Sequence, residues 1–230
     1  MRRVGFLLLL ALLVPVGLAR GDAIVVTRAM KATAIAELFV EADAIRVELE
    51  IGVAAVKAFA GLVPDSMLRT KPEGLPSEAE RQADFFEQGL VIEADGRRLA
   101  GEVLEVEPRR RIVRDEVTGE PLEIPESEAE AVLFARLRYP LNARPDTLTL
   151  SPPKEATTGR SAADIGMMLY HEDVPVCDFR YLSGSETVHL DWDDPFYSRF
   201  ENRNLWRQFD SPLSVFLYVG PFEVRKEVVL

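Results

Sequence analysis

A chain of 230 residues with 38 acidic against 27 basic side chains, a formal net charge of −11 and one cysteine is long enough to bury a core of its own. Its acidity repels phosphate backbones and anionic lipid, which excludes nucleic acid as a partner. The single cysteine, Cys177, excludes an internal disulfide.

The first segment stands apart from the fold. Arg2 and Arg3 precede the apolar run "VGFLLLLALLV", Pro15 and Gly17 break it, and small residues follow at Ala19 and Ala23. That order is the layout of a secretory signal peptide, and the run is shorter than the roughly 20 residues that span a bilayer as a helix. Residues 1–23 are expected to be removed, with cleavage after Ala23 preferred to Ala19. The rest, 24–230, is then a single extracytoplasmic domain in the periplasm, at the cell surface or secreted, with no direct membrane insertion after signal removal.

Strands dominate from there on. In "IRVELEI" Ile45, Val47, Leu49 and Ile51 face one way and Arg46, Glu48 and Glu50 the other, the pattern of a strand with one face on a core. Glu41–Ala44 before it is a hairpin connection. The period then changes, and short helices are expected around 54–60 and 77–88. The second carries a capping box, Ser77 with Glu80, and would dock through Phe85 and Phe86. Asp95-Gly96 lies between two apolar runs and signals a hairpin.

The basic run "PRRRIVR" (Pro108 to Arg114) alternates and is flanked by Glu105, Glu107, Asp115 and Glu116, so an exposed, charge-paired strand is favoured over an anion site. Further strands are expected at 131–139, 147–150, 165–171, 175–182, 187–191, 213–219 and 222–230. "SPPKEATTGRSAAD" (Ser151 to Asp164) is a turn-rich loop or domain boundary. "YHEDVP" at His171, Glu172 and Asp173 is a polar hairpin turn, and alternation in "PVCDFRYL" puts Cys177 with Phe179 and Tyr181 on one strand face as a buried thiol. The fold class is mainly β: an antiparallel β-sandwich or barrel-like domain. The end "VRKEVVL" has no polar tail, which raises the expectation that this is the amino-terminal part of a longer protein.

The chemically dense stretch is "VHLDWDDPFYSRFENRNLWRQFDSP", Val188 to Pro212. Alternation would place His189, Asp191 and Asp193 on one strand face, and with Asp194 they form a candidate set for a divalent metal ion. A half-buried strand with a wet face explains the same pattern without a ligand. The remainder is neither alternating nor helical, and its aromatic and arginine residues form either a secondary core or an interaction surface at Tyr197, Arg199, Arg203, Trp206 and Arg207.

No nucleophile elbow, HExxH, P-loop or EF-hand pattern occurs. The favoured function is therefore binding or structural association in the cell envelope, with no catalysis and no cofactor. The partner would be a protein, or a membrane-embedded portion of the same or another envelope protein. The competing reading is a metal-dependent, hydrolase-like enzyme or metal-binding domain that uses the His189 cluster with His171 assisting.

Overall fold

The computed structural model describes residues 32–111, 125, 129–201, 214–219 and 224–229; of 177–179 and of the last two strands, Lys226 apart, only the backbone is described. The chain is a β-sandwich. Its larger sheet has six strands in the order β5-β6-β2-β1-β8-β9. These are β1 (Ala34–Val40), β2 (Ala44–Gly52), β5 (Glu102–Arg110), β6 (Ala131–Pro140), β8 (Ile165–His171) and β9 (Val174–Leu182). The smaller sheet has five in the order β11-β10-β7-β3-β4, namely β3 (Val91–Ala94), β4 (Arg97–Arg98), β7 (Thr147–Ser151), β10 (Glu186–His189) and β11 (Arg199–Phe200). A two-stranded hairpin, β12 (Ser214–Val219) with β13 (Val224–Val229), follows.

Alternation builds the core as the sequence implies. Ala34, Ala36, Leu38 and Val40 of β1, Val47, Leu49 and Ile51 of β2, and Leu137 and Tyr139 of β6 are buried, and they meet Ile92, Leu148, Leu150 and Val188 of the smaller sheet in one cluster. Each of the valine, leucine and isoleucine side chains contributes on the order of 1.5–3 kcal/mol by leaving water.

All pairs within the two sheets are antiparallel except one. β1 runs parallel to β8, Ala34 opposite Ile165 and Val40 opposite His171. Parallel neighbours need a long crossover, which here takes in both the other sheet and the helical insertion. The segment Ser151 to Asp164 is the last step of that route, carrying the chain from β7 back to β8.

The insertion between β2 and β3 closes one end of the sandwich. Residues Val53–Leu62 form the short helix expected around 54–60, as 3-10 turns interrupted at Phe59 (φ −113°, ψ 21°). Phe59 is fully buried and meets Phe85 at 6.1 Å between ring centroids. Helix α1 (Glu78–Gln88) begins with the expected capping box: the Ser77 hydroxyl accepts from the Glu80 amide and the Glu80 carboxylate accepts from the Ser77 amide. Arg81, largely buried, donates to the carbonyls of Val63 and Pro76 and pairs with Asp65 at 2.9 Å, so one guanidinium ties the helix to the turns before it.

The hairpin at Asp95-Gly96 exists, with φ of 49° and 72°, yet its second arm is short: Arg97 and Arg98 pair with β3 and the Leu99 amide donates to the Ile92 carbonyl at 2.9 Å. After them the chain leaves the smaller sheet and enters the larger one as β5. It passes so close to α1 that a Cβ on Gly101 would sit 2.2 Å from the Phe86 ring. The second apolar run is thus an edge strand of the other sheet rather than a hairpin arm. The basic run does not start a new strand either: Arg109 and Arg110 end β5. Two of its arginines are ion-paired, Arg109 with Glu105 and Glu107, and Arg111 with Glu130 at 3.0 Å and Glu50 at 3.7 Å, while Arg110 donates to the Ala129 carbonyl at 3.1 Å. Residues 112–114 lie outside the described residues, as does the side chain of Cys177.

Candidate functional site

The dense stretch begins on a strand and leaves it early. β10 ends at His189, so the alternation of "VHLDWDD" does not continue as a shared face. His189 is exposed and stands opposite Arg199 of β11, a cation beside the side chain that would bind a cation. Leu190 turns inward, its amide donating to the Asp146 carbonyl at 2.9 Å.

From there the polar side chains serve the loop. The Asp191 carboxylate accepts the amides of Asp193 and Asp194 at 3.1 and 2.9 Å. The Asp194 carboxylate accepts the Phe196 amide at 3.2 Å and caps a 3-10 turn, Pro195–Tyr197, that starts with proline. These are the bonds by which aspartate stabilises turns. Among the described residues, no group of three or more His, Cys, Asp or Glu side chains is placed to hold a metal ion. His189 lies on the strand, Asp191 is turned to its own loop, and Asp193 and Asp194 are exposed.

The loop is anchored by a contact that sequence reasoning missed. Ser198 is 1 % exposed and His171, the last residue of β8, is 0 % exposed. The Ser198 hydroxyl lies 2.7 Å from His171 Nδ1 and accepts the Asp191 amide at 2.9 Å. Trp192 meets the His171 ring edge-on at 4.3 Å and donates from its indole nitrogen to the Pro145 carbonyl at 2.7 Å. Arg144 lies 5.0 Å over the Trp192 ring and 3.8 Å from Glu172. Of the supposed polar turn at 171–173, only Glu172 and Asp173, with φ of 46° and 67°, are turn residues; His171 belongs to the core. The Asp-Pro signal announced a turn, but nothing in the sequence links Ser198 to a histidine 27 residues earlier.

Burial holds the His171 pKa below the usual histidine range, opposed by the charges of Glu172 and Asp191 and reinforced by Arg144. A serine bonded to a histidine invites comparison with a nucleophile and its base. Here both are sealed from solvent and the hydroxyl already serves the Asp191 amide, so the pair cannot meet a substrate in this conformation.

What the loop does present to solvent is Tyr197, 45 % exposed and edge-on to Phe196 at 5.7 Å, next to exposed Arg199 on the two-residue strand that ends the smaller sheet. Arg203, Trp206 and Arg207 lie outside the described residues. Among the described residues no helix is long and apolar enough to cross a membrane. No protein family, no curated protein and no solved structure matches this chain.

Proposed function

We propose that this chain is an exported β-sandwich that works by binding a protein of the cell envelope, soluble or membrane-embedded, and carries out no reaction of its own. The signal-like segment 1–23 supports export. The observation that carries the binding reading is the rim at Tyr197 and Arg199. An exposed aromatic ring, set on a capped turn and adjoined by an arginine, combines the two residue types that most often dominate binding energy. Preorganisation of the turn by Asp191, Asp194 and Pro195 lowers the entropy cost of using it.

The test is site-specific photocrosslinking in the producing cells. A photoreactive residue at position 197 should yield a discrete adduct, whereas one at Arg97, exposed on the opposite edge of the same sheet, should not. The double variant Tyr197→Ala, Arg199→Ala should weaken capture of that partner roughly tenfold or more with little change in melting temperature. Equal adducts at both positions, or undiminished capture by the double variant, would refute the proposal.

A further inference from the structure

The loop that carries Tyr197 is tied to the larger sheet by a hydrogen bond between Ser198 and His171, a group that can change its charge. We infer that His171 is a proton-sensitive latch: neutral, it fastens the loop 190–198 across the end of the sandwich, and protonated, it releases it. This rests on the contacts of His171 and holds whatever the rim binds.

The Ser198 hydroxyl accepts the Asp191 amide and shares one hydrogen bond with His171 Nδ1. The other ring nitrogen, Nε2, is buried with no hydrogen-bond partner among the described residues. A neutral imidazole tolerates that, because one of its nitrogens can be a bare lone pair. An imidazolium cannot, because both nitrogens then carry protons, and an unpaired charged donor in an apolar site is among the costliest groups a fold can contain.

Among the described residues, three charges act on the ring. Glu172 from the β8–β9 turn and Asp191 from the loop itself favour protonation, Arg144 from the β6–β7 connection opposes it, and burial outweighs them all in the direction of the neutral ring. Relief comes by letting water reach the ring, and the loop supplies two of its neighbours, Trp192 edge-on at 4.3 Å and Ser198 on Nδ1, so lifting the loop hydrates the imidazolium. The Asp193 and Asp194 amides that depend on Asp191 belong to the same loop.

The sign follows from linkage. With the loop open, the ring takes up a proton at the ordinary histidine pKa; with it closed, it resists to lower pH. Acid therefore favours the open loop. With an open-state pKa of about 6.5, lowering the pH from about 7.5 to about 5.0 should raise the open population by up to about 30-fold. That range stays above the ordinary titration of carboxylates.

Hydrogen exchange of the whole protein at the two pH values, corrected for the intrinsic pH dependence of exchange, reads this directly. The amides of residues 191–198 should lose protection by an order of magnitude or more while those of β2 and β6 hold, and the His171→Asn variant should show no such step. A flat wild-type profile, or the same step in the variant, would overturn the latch. Should the variant fail to fold, an NMR titration of the wild type decides. Ser198 and Trp192 resonances moving with the His171 midpoint support the latch. A His171 ring that titrates in the ordinary range without moving them refutes it.

Discussion

The phenol of Tyr139 is fully buried, its hydroxyl donating to the Leu90 carbonyl at 2.7 Å and its ring meeting the edge of Phe86 at 5.3 Å. Burial pushes its ionisation well above the usual tyrosine range. A group whose folded pKa is raised contributes stability that is complete below the unfolded value and lost as pH climbs past it. The protein should therefore weaken progressively above about pH 10, and ultraviolet titration should show one tyrosine that stays un-ionised until unfolding. Tyr139→Phe should blunt that alkaline loss while costing about 1–3 kcal/mol at neutral pH, since the Leu90 carbonyl is left unpaired; denaturant melts at both pH values check it. Alternation in residues 131–139 placed Tyr139 on its strand from sequence alone. Its acceptor could not be read, because that depends on where another element lands. The same holds for His171 and Ser198, whose residue types were visible and whose meeting was not.

Elements were legible where their signals are local. Ser77, Glu80 and the proline before them specify the start of α1 within four positions, and the structure has the cap in full. Removing it with Ser77→Ala should cost about 1 kcal/mol, read as a lower denaturation midpoint with unchanged slope. The Asp95-Gly96 turn was equally clear because its backbone demands positive φ. What followed it was misjudged, since a turn dictates the next residue or two and not how far pairing extends. Gly101 marks the departure: its missing side chain lets the chain slip past Phe86 and cross to the other sheet. The 3-10 character of Val53–Leu62 has a similar origin. The apolar period suits a helix, but burying Phe59 against Phe85 bends the backbone at that residue. The early end of β10 is the third case, where Asp191 prefers to bond its own loop over continuing a strand.

At the scale of the whole molecule, the outward face of the larger sheet is laced with cross-strand ion pairs. Arg136 of β6 reaches Glu48 of β2 at 3.4 Å and Glu105 of β5 at 2.8 Å, and Arg138 reaches Glu102 and Asp43. These pairs agree with the strand order and help fix register, but they are partly solvated. Arg136→Ala should cost less than about 1 kcal/mol, and molar salt should shrink even that; melts of both proteins in low and high salt test it. The composition foretold such a charged surface, and alternation with regular turn signals the mainly β class. The order of strands was beyond reach, because sequence patterns show which face of a strand is buried and not which neighbour it will find.

The parallel pairing of β1 with β8 also sets a timetable. Thr33 and Asp164 share a hydrogen bond across 131 positions of chain, and β1 lies inside the sheet only once β8 is beside it. A chain delivered from its amino terminus can form the β1–β2 hairpin early, but one edge of β1 stays bare until residue 171 has emerged. Such long-range closure places folding at the slow end of the range for domains of this kind. Through that interval the hairpin offers an unpaired edge to any other strand, so the vulnerable period of this protein precedes its completion, and whatever shields nascent chains has the β1 edge to cover.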